Sequence, residues 1–506
     1  MKYLIAHDIG TTADKATLFD IEGNMIKSVS EPYKTHYFND VCAEQNPEDW
    51  WYAVCQSTKL LTAQIDPKDV KAVSFSGQMQ GLLCVDKQGR PLRPFIIWAD
   101  VRASLEANQL ADRISARRLY ITTGHPLNSS YTLEKLMWIK SHEPEVYRNT
   151  YKILSAKDYI VYRMTGRFYM DYSNASATNA MDINEFKWSN EILKAADIDG
   201  DLFPELTVAV TVAGEVNDRI AEETGLAKGT PVVVGGGDGQ CASVGAGSVS
   251  EGKAYISAGT SAWVSVSSQK AVFDDAMTIT NFAHVVPGMV CPSGTMQTAG
   301  SALQWAKENL FQRERYSSEQ YGLNPYAVID TLIKNASAGA NGLIFLPYLM
   351  GERAPRWNPK AKGSFIGLKL THTSGDIFRS IIEGIAMNLD IILGTLKKEI
   401  TIDELGIIGG MAKGDIVCGI MASVMGLPIR RLKNMDEVAS MGAAVIAGVG
   451  AGVFRDFSAI DVFMDTDKIM KPDTEEEKIY KSLKVIFDDA YYALINIFDK
   501  LSVFNQ

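Results

Sequence analysis

The sequence predicts an α/β protein of two domains with a cleft between them, and three observations support this. The chain has 506 residues, and ordinary domains hold roughly 100–200, so a single core is not expected. Apolar strand-like runs alternate with amphipathic helix-like runs, the pattern of a layered α/β fold. The opening motif, an apolar strand, a hydroxyl-rich turn and a second strand, recurs at Gly252–Ser268.

In chain order, KYLIAHDIGTTADKATLFDIEGNMI reads as a strand–turn–strand over Ile5–Leu18, then a Glu-Gly-Asn turn into a third extended piece. Asn46–Ile65 predicts an amphipathic helix, with Pro47 near its start and acids in its first turn. KAVSFSGQM follows as a short buried strand. Val232–Gly247, VVVGGGDGQCASVGAG, runs from β-branched residues through three glycines into a lone carboxylate, Asp238. Gly252–Ser268 then repeats the opening hairpin, with Gly259-Thr260-Ser261 in the place of Gly10-Thr11-Thr12. Either two domains of related topology face one ligand, or two unrelated hairpins share a pattern. The small residues at Val244–Gly252 mark the boundary, giving domains 1–246 and 247–506. Gly342–Leu368 joins a buried strand to a Pro- and Arg-rich loop ahead of a helix carrying Glu383. Strand Leu405–Ile408, Gly409, Gly410 and a further helix repeat the strand–glycine–helix device.

Composition narrows the function. A net charge of −10 argues against a nucleic-acid or anionic-membrane surface, so an anionic ligand must be held locally by backbone N–H groups and a metal. Asp8 interrupts the apolar start before a signal-peptide core, and Gly442–Phe454 is short of the ~20 residues that cross a bilayer, so a cytoplasmic location is expected. The six cysteines and six histidines lack metal-ligand or disulfide spacing.

Asp8 ends a strand where it can hold Mg²⁺ through water, and the Gly10-Thr11-Thr12 turn can direct N–H and hydroxyl groups at phosphate oxygens, with Lys15 further along. The same residues also make a good hairpin turn and nothing more. Gly247–Lys253 fits G-x-x-x-x-G-K, but Ala254 replaces the metal-ligating hydroxyl and a strand follows, so it is not a phosphate loop. Gly448, Gly450 and Gly452 follow no strand and fit tight helix packing. Two readings of Asp238 stand: a helix N-cap, or a general base taking the proton of a substrate hydroxyl as it attacks phosphorus.

In order and spacing these motifs resemble the FGGY carbohydrate kinases of the actin-like, hexokinase-type ATPase superfamily, and the resemblance covers the whole chain. It implies two actin-like, ribonuclease H-like domains with a catalytic cleft between them. It makes Asp238 the general base and, with Asp8, a metal ligand. Gly10, Thr11, Thr12 and Lys15, then Gly259 and Thr260, Gly300 and Gln304, and Gly409, Gly410 and Gly414 become the ATP-binding set. SGQMQG, with Gln78, Met79 and Gln80, and WADVR, with Trp98, Asp100 and Arg102, resemble the family's sugar-contact segments. ATP is the implied co-substrate, Mg²⁺ the implied metal and a small sugar the implied partner, without nucleic acid or membrane; a homodimer is left open.

The pattern is most similar to the xylulose kinases, with D-xylulose phosphorylated to D-xylulose 5-phosphate. Two positions depart from it. Gln80 stands where that subgroup has histidine, and Gly239 where it commonly has asparagine. The WAD tripeptide is similar to that of gluconate kinases, so gluconate, another ketopentose, a polyol or a linear signalling sugar are alternatives. From other classes, a non-catalytic actin-like nucleotide-binding protein is separated by sugar-dependent ATP turnover. A glycosidase pairing Asp100 with Asp238 leaves the two hairpins without a role.

Overall fold

The computed structural model describes residues 1–312, 316, 320–433 and 435–505. Two seven-stranded sheets dominate it. The first comprises β1 (Tyr3–Ile9), β2 (Ala13–Asp20), β3 (Met25–Pro32), β4 (Val70–Gly77), β5 (Val212–Glu215), β6 (Pro231–Val233) and β7 (Gly236–Gly237), in the order β5-β6-β4-β1-β2-β3 with β7 also on β4. The second comprises β8 (Ala254–Ala258), β9 (Ala262–Val266), β10 (Thr280–Ala283), β11 (Val290–Met296), β12 (Leu405–Ile408), β13 (Ile429–Leu432) and β14 (Thr466–Met470), in the order β10-β11-β9-β8-β12-β13-β14.

The repeated hairpin is a repeated topology. In the first sheet β1 pairs antiparallel with β2 and parallel with β4, and β2 pairs antiparallel with β3. In the second, β8 pairs antiparallel with β9 and parallel with β12, and β9 antiparallel with β11. The parallel strands β1, β4, β8 and β12 therefore deliver their carboxyl ends, where ligands collect in open α/β sheets, with the GTT and GTS turns directly after β1 and β8.

Helices cover both faces of the first sheet, as alternation along β1 requires. Ile5 and Ile9 pack in one core with Trp50 and Val54 of α1 (Pro47–Thr62), whose Asn46 caps its N-terminus. Leu4 and Ala6 face the other way, into a core with Met441, Ala444 and Val445 of a second helix, α6 (Val438–Gly450). The remaining helices used below are α2 (Thr132–His142), α3 (Asp238–Gly245), α4 (Ser374–Leu396) and α5 (Asp415–Met425).

Although α6 comes from the second half of the chain, it lies on the first half's sheet. Gly442 makes this approach possible: a Cβ there would fall 1.9 Å from the Cys241 carbonyl oxygen of α3, and one at Gly245 would fall 1.9 Å from the Val438 oxygen. Gly448 and Gly450 serve packing too, with Cβ positions 2.2 Å from the Phe454 ring and 2.5 Å from the Val210 oxygen. The Gly247–Lys253 segment leads into β8, a strand and not a helix. Among the described residues no helix is long and apolar enough to cross a membrane.

Candidate active site

Strand register brings the two acids together. Asp8 on β1 lies opposite Ser76 on β4, and Gly237 of β7 lies opposite the next β4 residue, Gly77. Asp238 follows at once, as the first residue of α3, so both carboxylates stand at the same end of the two strands that flank β4. Gly237, not Asp238, holds the cap position of α3, and no side chain caps that helix. The N-cap reading of Asp238 is therefore set aside.

The Asp238 carboxyl is pushed up to about 7, first by burial and then by the negative charge of Asp8, against the Gly239 N–H that donates to its Oδ1 at 2.7 Å. Burial also raises Asp8, opposed by the Ser76 hydroxyl donating to Oδ1 at 2.7 Å. A carboxyl titrating near neutrality is matched to accepting a proton from an alcohol. The pair also suits Mg²⁺, which takes one or two carboxylates and completes its octahedron with phosphate and water oxygens. Among the described residues no group of three or more His, Cys, Asp or Glu forms a closed metal cage.

A cavity of about 300 Å³ lies between the two halves, walled by Gln80, Trp98 and Tyr131 from the first and by Thr280, Thr295 and Arg353 from the second. Met79, next to Gln80 of this wall, packs against β7: a Cβ on Gly237 would fall 2.5 Å from the Met79 sulfur. Gly239 faces open space, with nothing within 4 Å of a Cβ placed there.

The expected sugar residues thus divide. Gln80 and Trp98 line the cavity, and Gln80 does so from a left-handed backbone, φ 63°. Gln78 turns away, donating to the Gln45 side-chain oxygen at 2.7 Å and the Gly10 carbonyl at 3.3 Å. Asp100 and Arg102 are not brought to the wall. Arg102 binds Asp100 through Nη2 at 2.6 Å and Glu44 at 2.7 Å, and the Ala43 N–H donates to Asp100 at 2.6 Å. They form a buried ion-pair network behind the loop that presents Trp98. The Trp98 indole donates to the Thr11 hydroxyl at 2.9 Å, joining the cavity to the first turn.

Of the expected nucleotide residues, those of the second half come together at the second sheet. Gly300 N–H donates to the Gly259 carbonyl at 2.9 Å, and Ala299 N–H to the Thr260 carbonyl at 3.0 Å. A Cβ at Gly300 would meet the Gly259 oxygen at 2.5 Å and Met411 at 3.3 Å, so the segments at 259, 300 and 410 touch. Gly409 has φ 94° with its Cβ position 2.7 Å from the Ala258 oxygen, whereas Gly410 faces open space and Gly414 caps α5. Gln304 is exposed and donates to Glu308. Thr12 and Thr260 are exposed on their turns. Lys15 is engaged elsewhere, its ammonium donating to the Asp436 carbonyl at 2.6 Å and lying 3.6 Å from Glu437, so it ties the halves together.

Sequence reasoning missed Tyr131, Thr280, Thr295 and Arg353, which are scattered over the chain. Only the Pro- and Arg-rich character of the Arg353 loop signalled a special segment. Glu352 anchors that loop, accepting from the Gln297 and Arg353 N–H groups and the Asn388 amide.

Two domain models of one family match the chain, the FGGY carbohydrate kinase N-terminal domain over residues 3–245 and the C-terminal domain over 254–451. A xylulose kinase of Staphylococcus epidermidis is 34% identical over 489 residues, 96% of this chain and 95% of that protein. A gluconokinase of Bacillus subtilis is 28% identical over 510 residues, 100% of this chain and 98% of its own length. The ligand-bound xylulose kinase structure from Lactobacillus acidophilus superposes with a TM-score of 0.91 at 28% identity, covering 99% of this chain and 100% of that one. Two related α/β halves, a carboxylate pair at the strand ends of the first and these matches together define a phosphotransferase acting on an alcohol. The chain belongs to the FGGY family of carbohydrate kinases, and sugar phosphorylation is its activity.

Proposed function

We propose that the protein phosphorylates D-xylulose to D-xylulose 5-phosphate with ATP, in the cytoplasm, with Asp238 as general base. The observation that carries the base assignment is the placement of the buried Asp238 carboxyl directly after β7 and close to Asp8, which together with burial pushes it up to about 7. The choice of sugar rests on the xylulose kinases among the relatives at 30–34% identity.

In this reading the ketose lies against Gln80, Trp98 and Tyr131, and its terminal hydroxyl reaches past Met79 to Asp238. The carboxylate takes the hydroxyl proton as the sugar oxygen bonds to the γ-phosphorus and the bond to the bridging oxygen breaks, releasing ADP. The turns at Gly10–Thr12 and Gly259–Thr260 orient the phosphates with N–H and hydroxyl donors. Asp8 and Asp238 would hold Mg²⁺, which when bound would neutralise phosphate charge. The Trp98–Thr11 hydrogen bond couples occupancy of the cavity to the phosphate turn.

A sugar acid is the second reading. Arg353 lines the cavity and, among the described residues, forms no ion pair, which leaves a guanidinium available to a carboxylate. A coupled ADP-release assay over ketopentoses, aldonates and polyols tests both. The expected result is highest kcat/KM with D-xylulose. Preference for gluconate moves the assignment to the second reading, and ADP release independent of every sugar overturns both.

A further inference from the structure

We propose that Lys135 is a positioning residue for the sugar, its ammonium clamping the three backbone segments that form the first half's share of the cavity wall. Lys135 sits on α2, fully buried, and donates to the carbonyls of Gln80 at 2.9 Å, Ile97 at 2.8 Å and Ser130 at 2.5 Å. Each carbonyl belongs to a wall residue or its immediate neighbour: Gln80 itself, Ile97 before Trp98, and Ser130 before Tyr131. The proposal rests on reading this cavity as the sugar site.

The chemistry suits a clamp. An ammonium has three N–H donors, and all three meet carbonyl oxygens; a neutral amine has two and would leave one carbonyl facing a lone pair. Among the described residues Lys135 has no carboxylate within ion-pairing distance, so the positive charge is spent on the loops. Burial drives its pKa down to about 7, while Asp100 and Glu134 raise it and Arg102 lowers it further. The clamp holds segments with reason to move. Gln80 is in the left-handed region, which non-glycine residues occupy at a cost, and Trp98 lies in a turn after the short strand Phe95–Ile96. The Thr132 hydroxyl, on the same helix, reinforces the first segment by donating to the Gly81 carbonyl at 3.1 Å.

Lys135→Met in the full-length enzyme tests this. It is expected to raise KM for the preferred sugar by at least ~10-fold, as loss of charge-assisted bonds to buried carbonyls implies, with KM for ATP held within about twofold. Lys135→Gln, which keeps two N–H donors, should fall between, and it carries the same test if the Met variant does not fold. Amide hydrogen exchange without substrate should quicken at residues 78–82, 96–101 and 128–131 relative to β8 and β12. A folded variant with unchanged sugar KM, an equal rise in both KM values, or unchanged exchange in those segments overturns the proposal. A wild-type enzyme lacking sugar-dependent ADP release would instead overturn the sugar-site reading, and the exchange result would still judge the clamp.

Discussion

Replacing Asp238 with asparagine, which keeps the shape and the acceptor for the Gly239 N–H, isolates the carboxylate's ability to take a proton. With the pKa near 7, only about one enzyme in eleven carries the ionised base at pH 6, and about one in a hundred at pH 5. The kcat/KM for the sugar should therefore fall as pH drops below neutrality, less steeply where bound Mg²⁺ favours the ionised carboxylate. A carboxylate at its ordinary 3.8 would remain about nine-tenths ionised at pH 5 and give a flat profile there. Asp238→Asn should lower kcat by about 10²–10⁴-fold, and in Asp8→Asn the acid limb should move to lower pH, because the charge that helps raise Asp238 is gone. Stability follows the same linkage. A folded pKa above the unfolded one means the native state binds more protons, so this group's contribution declines as pH rises from about 4 to about 7. Asp238→Asn should accordingly melt higher than wild type at pH 8, with the gap closing toward pH 4. Rates measured by coupled ADP release from pH 5 to 8, with melting curves alongside, decide it. An asparagine variant within tenfold of wild type would refute the base assignment.

Three further outcomes are expected. Gly239→Asn meets no atom within 4 Å of its Cβ, so it should fold normally and change KM for the sugar more than KM for ATP; unchanged sugar selectivity would separate this position from the substrate. Trp98→Phe removes the 2.9 Å bond to Thr11 and should raise both KM values by about two- to tenfold, readable by steady-state kinetics. Gly442→Ala places a Cβ 1.9 Å from the Cys241 oxygen and should lower the melting temperature by several degrees or prevent soluble expression.

What the sequence revealed and what it hid differ in range. The strand–glycine–acid run ending at Asp238 and the two Gly-Thr turns are local patterns, and local patterns carry their geometry with them. The strands at Tyr3–Ile9, Val70–Gly77 and Leu405–Ile408 and the helix at Pro47–Thr62 were legible for that reason. The pairing of Arg102 with Glu44 was hidden because the two residues meet only through the fold. The bond of Lys15 to Asp436 was hidden likewise, since nothing near Lys15 in sequence announces it. Arg353, Tyr131 and the triple bond of Lys135 depend on loops from distant segments meeting at one cavity, which no single window of sequence records.

The placement of α6 has a consequence for dividing the chain. A cut between residues 246 and 247 respects the sequence motifs, yet it would strip β1 and β4 of the apolar lid that Met441, Ala444 and Val445 provide. The first fragment alone would carry a greasy, unshielded sheet face and should precipitate, whereas co-produced fragments can reassemble around the α3–α6 crossing. The polypeptide is thus stitched like a folded strap whose tail buckles back through its own head.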